Sequence, residues 1–367
     1  MRKHALLTPW TSLLAATALA GEPAAPPPVA TLIGATSLPG TALDQSGLKG
    51  EVMPGIPSAR LGSLGSGLET IDAFAGGAHL LAVSDRGPAD GAAPLDCRFH
   101  RLTLTVDTSK SPAVTLACDA TELLKRPDGK PFIGLSSELG TTPAPGGGTI
   151  HNRLDPEAIR RLPSGHVLVS EEYGPSVIEF DDHGAFVRAW PIPDRFLCNH
   201  PGKDEGAELP PHNATGRQPN KGFEGLALTP KGVAWALLQQ PLIQDGALND
   251  KGKRAGVNVR LLCLGRAPGE TPREFIYRLE TPKLGLCELL ALDEHRFLTI
   301  ERDGSERRFR RVYLIDTEGA TDIAAMKSLP ADTLPDGVKP VSKRAIIDLA
   351  DPSIGLRDMP EKIEGLC

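Results

Sequence analysis

Five stretches of this chain repeat one local design: a small or turn-forming residue, a glutamate, then a short apolar run. They are Gly67-Leu68-Glu69-Thr70-Ile71, Asp155-Pro156-Glu157-Ala158-Ile159, Gly222-Phe223-Glu224-Gly225-Leu226, Leu286-Cys287-Glu288-Leu289-Leu290 and Lys362-Ile363-Glu364-Gly365-Leu366. Successive glutamates lie 88, 67, 64 and 76 residues apart. In the first four units a turn follows, such as Ala75-Gly76-Gly77 or Pro230-Lys231-Gly232, and then a second apolar strand. These second strands (79–84, 166–170, 233–238 and 296–300) each run into polar residues: Asp85-Arg86, Glu171-Glu172, Gln239-Gln240 and Glu301-Arg302-Asp303. The lag from glutamate to polar cluster is 13 to 16 residues, a hairpin distance. Third and fourth strands are expected at 98–106 and 113–118, 176–180 and 186–190, 260–264 and 275–279, and 311–315 and 344–348.

Four antiparallel strands per unit, repeated along a chain, make the pattern of a propeller blade. The expected fold is therefore an all-β propeller of about five four-stranded blades, or six if an insertion hides one, with the last blade incomplete. A β-sandwich competes with this reading, but its strands alternate between two faces and offer no rotational equivalence for a recurring acid. The units exceed the ~45 residues of a compact blade, so their loops carry insertions, the largest at roughly 135–153 and 194–219. The stretch Glu364-Gly365-Leu366-Cys367 opens a unit that nothing follows. The expectation is a sequence cut short, with a strand at 29–36 borrowed to close the ring.

Residues 1–20 have the form of a secretory signal: a basic start at Arg2-Lys3-His4, a mostly apolar stretch, and Ala18-Leu19-Ala20 as a cleavage pattern. Residues 21–28 form a Pro/Ala-rich leader, and 29–367 the propeller domain. An exported protein, periplasmic or extracellular, is expected. No other run approaches the ~20 apolar residues of a membrane span. The formal charge of −6 becomes −8 when Arg2 and Lys3 leave with the signal. That balance argues against nucleic acid, whose binding needs a basic face. None of the six cysteines stands in a C-x-x-C pair, which disfavours structural zinc. Cys97 and Cys118 flank a hairpin expected about Asp107–Ser111, so either a disulfide or two buried thiols is expected there.

Equivalent positions on blades face a common axis, so Glu69, Glu157, Glu224, Glu288 and Glu364 are expected to form a ring. Asp85, Arg86, Glu171, Glu172, Gln240, Glu301 and Arg302 could join the same mouth. Crowded carboxylates need protons, basic side chains or cations as compensation, and oxygen-only ligands suit Ca²⁺ or Mg²⁺. Against this stands a purely structural role, each glutamate capping the backbone of a neighbouring blade. The chain carries no G-x-S-x-G, H-E-x-x-H or P-loop, and no G-x-G-x-x-G after a strand.

The stretches 155–159 and Ser170-Glu171-Glu172-Tyr173-Gly174-Pro175, together with Asn220-Lys221-Gly222-Phe223-Glu224-Gly225-Leu226-Ala227, carry a family likeness. So do Gln240-Pro241-Leu242, Glu288-Leu289-Leu290-Ala291-Leu292 with Glu301-Arg302, and Ile363-Glu364-Gly365-Leu366. Over about residues 60–367 the chain resembles the phytase-like propellers, described as having esterase-like activity of phytase. Two departures stand out: Glu69 replaces an expected small residue, and an acidic C-terminal segment is missing. The resemblance implies hydrolysis of a small-molecule phosphomonoester or ester. On that reading Glu157, Glu171 and Arg302 are catalytic candidates, and Arg86 and Gln240 bind substrate. Glu69, Asp85, Glu157, Glu224, Glu288, Glu301 and Glu364 are candidate ligands of a divalent cation, Ca²⁺ first. The competing functions are a non-catalytic exported binding scaffold and a metal-dependent lactonase or carboxylesterase.

Overall fold

The computed structural model describes residues 32–304, 306–356 and 359–367. The proposed signal and leader, residues 1–28, lie outside them. Four four-stranded antiparallel meanders account for most of the ordered backbone. Blade I comprises Leu64–Phe74, Gly77–Ser84, Arg98–Val106 and Val114–Leu123. Blade II comprises Pro156–Arg161, Val167–Glu171, Ser176–Phe180 and Phe186–Trp190. Blade III runs Phe223–Leu228, Ala234–Leu238, Asn258–Gly265 and Arg273–Arg278. Blade IV runs Gly285–Ala291, Arg296–Arg302, Arg310–Asp316 and Ser342–Asp348.

The arrangement is propeller-like. The first strand of each blade is innermost: those of blades I and II, II and III, and III and IV pack against one another. The β-branched and aromatic residues of the strands fill the spaces between blades. One core joins Leu81, Val83 and Phe99 of blade I to Ile159 and Val169 of blade II. A larger one runs from Leu168 through Trp235 and Leu261 to Phe297 and Ile315. Among the described residues four blades are complete; of the expected incomplete fifth only the segment 363–366 stands, and no sixth is seen. The segment 363–366 lies between the inner strands of blades IV and I. Leu366 N reaches Glu288 Oε2 at 3.4 Å, and Ser66 Oγ reaches Glu364 Oε2 at 3.4 Å. Residues 32–36 form no strand, so the expected closing strand at 29–36 is not seen in its described part; Gly34 instead sits beside Val114 on the outer strand of blade I.

Glycine lets the inner strands close on each other. A Cβ on Gly67 would lie 2.5 Å from Ala158 Cα, and one on Gly225 would lie 2.8 Å from the carbonyl carbon of Glu288. Both contacts are to backbone, which cannot rotate away. Each inner strand also carries a β-bulge. In blade II Glu157 is the extra residue between the pairs Pro156↔Glu171 and Ala158↔Ser170. In blade III Glu224 is extra between Phe223↔Leu238 and Gly225↔Leu237. Blade I has Gly65 and Ser66 between Leu64↔Ser84 and Gly67↔Val83, and blade IV is irregular between Cys287 and Leu290. A bulge takes a side chain out of the two-fold alternation and re-aims it.

Of the two alternatives for Cys97 and Cys118 the structure has the free thiols, Cys97 buried and Cys118 half-buried, and all six cysteines are free. The hairpin turns later than expected: Val106 pairs with Val114 and Leu102 with Cys118, so Cys97 is several residues past its supposed partner. Cys97 Sγ instead donates to Leu154 O at 3.3 Å.

Gly67→Ala should lower stability by about 1–3 kcal/mol through overpacking at the inner-strand contact. Gly40→Ala, where a Cβ meets nothing within 4 Å, should change it little. Chemical denaturation of the two variants against the parent measures the difference.

Candidate functional site

The bulges deliver Glu157 and Glu224 to one central cavity of about 380 Å³, shared with Asp85, Arg86, Glu172, Gln240, Arg302 and Lys362. Two groups of potential ligands stand there. Oxygens of Asp155, Glu157 and Glu172 lie within 4.8 Å of one another, as do ligand atoms of Glu224, Cys287 and Glu364. Five of the six residues are buried, and the Glu364 side chain is 9% exposed. Glu172 Oε1 and Glu224 Oε2 are buried with no hydrogen-bond partner among the described residues. Asp155 Oδ2 lies 3.1 Å from an Arg86 guanidinium nitrogen as an ion pair, without hydrogen-bond alignment.

Burial pushes the Glu157 carboxyl well above its usual range, and the neighbouring charges of Glu224, Asp155, Glu172 and Glu364 push it further. Glu224 is raised by burial and by Glu172 and Glu364, against the pull of Arg302 and Lys221. Asp155 is raised by burial, which outweighs the opposing effect of Arg86. Basic groups partly balance the cluster. Arg302 donates to Glu364 Oε1 at 2.5 Å and to Cys287 Sγ at 3.1 Å. Burial works against its charge, but Cys287, Glu364 and Glu224 hold its proton more tightly than usual. Lys362 Nζ stands 3.7 Å from Asp85 and 3.9 Å from Glu364.

Other residues singled out from the sequence have different surroundings. Glu171 accepts from Tyr173 N, Gly174 N and Ser176 Oγ at 2.8, 2.9 and 2.8 Å, closing the turn after the second strand of blade II. Glu301 accepts from Tyr277 Oη at 2.6 Å, Glu280 N at 2.7 Å and Lys343 Nζ at 3.0 Å, a join between blades III and IV. Arg86 is engaged by Asp155, Asp90 and Asn220. Gln240 donates to Leu284 O at 2.9 Å while its Oε1 has no partner among the described residues. Asp85 Oδ1 accepts from Gly87 N at 2.7 Å.

Glu288 and Glu69 gather about Arg160 instead. The Arg160 guanidinium donates to Glu288 Oε1 at 2.5 Å and to Leu68 O and Leu289 O at 2.6 and 2.8 Å, with Glu69 Oε2 at 3.7 Å. Glu288 is fully buried, at φ 56° within its bulge, and accepts from Leu289 N at 2.9 Å. Burial lifts its carboxyl to about 7 despite Arg160 and the backbone donors. In blade I the residue in the place of Glu157 and Glu224 is Ser66, three positions before Glu69. The spacing rule followed the acid along the chain, whereas the bulge follows the backbone. Asp155, Lys221 and Cys287, absent from the sequence-based candidates, were visible only as neighbours of the recurring glutamates.

Fold and site together define a propeller-like protein with buried acids gathered where its inner strands converge. Residues 60–367 match the phytase-like family, described as esterase-like activity of phytase, and the chain belongs to that family. It is also similar to a protein of Arthroderma benhamiae named "Uncharacterized secreted protein", 26% identical over 338 aligned residues. The match covers 73% of this chain and 66% of that relative, just under two thirds of its length.

Arg160→Met should cost about 3–5 kcal/mol, because it strands a buried carboxylate. The sign of the pH effect follows from the raised Glu288 pKa. The folded state holds a proton that the unfolded state releases at lower pH, so Glu288 disfavours folding increasingly as pH rises from about 4.5 through about 7. Without Arg160 this penalty grows. The stability gap between Arg160→Met and the parent should therefore be larger at pH 8 than at pH 5, and Glu288→Gln in the Arg160→Met background should narrow it. Urea melts at both pH values measure this.

Proposed function

We propose that this protein is an exported hydrolase of phosphomonoesters or carboxylic esters, acting at the central cavity with a divalent cation, Ca²⁺ first. The observation that carries the reading is the pair of buried, unpartnered carboxylate oxygens, Glu172 Oε1 and Glu224 Oε2, beside a Glu157 carboxyl crowded by four other acids. Leaving buried acceptors unpaired costs about 1–3 kcal/mol each, more for charged groups, so a cation beside Glu172 and a water donor at Glu224 are the natural missing partners. The group Asp155, Glu157 and Glu172 offers oxygen alone and fits a hard ion. The second group includes Cys287, whose sulfur already accepts from Arg302.

When bound, the ion would polarise the ester and the attacking water. Glu224, ionised once a cation at Asp155, Glu157 and Glu172 offsets the neighbouring acids, would accept the proton of the attacking water at Oε2. Arg302 faces the negative charge that develops on the reacting group. Lys221, Arg254 and Lys283 on the cavity wall attract the anionic end of the substrate. Gln240 Oε1 accepts a hydroxyl hydrogen. Export is supported by the signal-like residues 1–20 and by the name of the Arthroderma relative. The segment 363–366 takes the place of a fifth inner strand.

Hydrolysis of p-nitrophenyl phosphate or of a carboxylic ester should depend on added Ca²⁺ or Mg²⁺ and disappear with chelator. Glu172→Gln and Glu224→Gln should each lower kcat/KM by about 10²–10³-fold. Hydrolysis that is indifferent to chelator sinks the metal reading. Parallel phosphate, linear ester and lactone panels identify the reaction.

In calorimetry, Ca²⁺ should raise the melting temperature of the parent more at pH 8 than at pH 5. The acids whose pKa is raised in the folded state destabilise it progressively above their ordinary range, and a cation relieves that penalty. Glu172→Gln should reduce the shift.

A further inference from the structure

A second sizeable cavity lies outside the acidic centre. It measures about 590 Å³, within the range of small-molecule sites. Its floor is the outer half of blade II, and its walls are the hairpin Thr141–Pro143/Thr149–His151 and the loop at 197–201. Ile150, Leu154, Ile178, Phe186, Ala189 and Leu197 give it an apolar lining. Polar groups stand at its edge, among them Thr149, His151, Arg153, Glu171, Arg188 and Asn199. One of them, His151, has a buried Nδ1 without a partner among the described residues, and burial together with Arg153 holds its pKa below the usual value. The imidazole is thus neutral and able to orient one polar atom of a ligand.

This cavity and the centre have a neighbour in common. A smaller one of about 250 Å³ stands between them. It shares Arg86, Asp90 and Asn220 with the acidic cavity, and Arg153 and Tyr173 with the apolar one. Tyr173 and Arg153 are fixed: Tyr173 Oη donates to Gly134 O at 2.9 Å, and Arg153 pairs with Glu208 at 2.8 Å and stacks on the Tyr173 ring at 4.7 Å. The three cavities adjoin one another in the order charged, mixed, less polar along blade II, with Arg153 and Tyr173 as the wall that the last two share.

We infer that the apolar cavity over blade II is the subsite for the non-reacting end of the substrate, and that the substrate is an amphiphilic monoester with an alkyl or aryl group. The inference rests on the central cavity being the reactive site. A compact polyol carrying many phosphates has no apolar end to place there. Burying one methylene contributes about 0.8 kcal/mol, equivalent to roughly a fourfold gain in affinity.

The test is titration calorimetry of methyl, butyl and octyl phosphate with the full chain in Ca²⁺, beside turnover of p-nitrophenyl esters from acetate to octanoate. Affinity should rise about two- to fourfold per methylene before levelling off, and kcat/KM should rise with it. Ala189→Trp and Thr149→Trp, which narrow the cavity from exposed positions, should flatten the dependence. Length-dependent binding that Ala189→Trp abolishes supports the subsite even if no ester is turned over; that result would sink only the hydrolase. Turnover and binding that are both indifferent to length, or a dependence that survives both tryptophans, overturn the subsite and leave the hydrolase standing.

Discussion

The inner ring of this molecule depends on one buried ion pair. Arg160 from blade II reaches Glu288 of blade IV and the carbonyls of Leu68 in blade I and Leu289 in blade IV. Glu288 in turn accepts from Leu68 N and Leu366 N at 3.4 Å. Two side chains therefore engage three blades and the C-terminal segment at once. A hydrophobic plug could fill the same space, but it would leave these backbone groups unpaired where water cannot reach them. Desolvating both charges is costly, and the cost is offset because each also satisfies the backbone.

With the inner strands tied together, acids far apart in sequence crowd one cavity. Asp155, Glu157, Glu172, Glu224 and Glu364 meet there, yet Arg302, Lys362 and Arg86 stand among them. The site is a mixed-charge centre rather than a carboxylate ring. Such a site sets opposite charges side by side, the arrangement on which the proposed ester or phosphoester hydrolysis draws.

Most of the blade architecture was legible in the sequence because alternation and turn residues are local signals. The strands 98–106, 176–180 and 186–190 match the observed bounds. What eluded the sequence depends on register. A one-residue bulge leaves the apolar pattern nearly intact but decides which side chain faces the centre, so Glu69 looked equivalent to Glu157 while Ser66 occupies that place. Glu171 and Glu301 end strands as expected, but strand alternation alone does not reveal that a turn claims one and an inter-blade join the other. The choice between a Cys97–Cys118 bridge and free thiols was open in the sequence for the same reason: it depends on where the hairpin turns, which is past the assumed midpoint.

The bulges have a further consequence. A residue outside the ladder contributes its side chain to the cavity and little to strand pairing, so its identity can change while the sheet stays in register. Ser66 in blade I and Glu288 in blade IV stand outside the ladder as Glu157 and Glu224 do, and the meander is complete in all four blades. The framework thus keeps its shape while the chemistry at its middle is rewritten one blade at a time, a route by which a single scaffold could acquire unlike substrates.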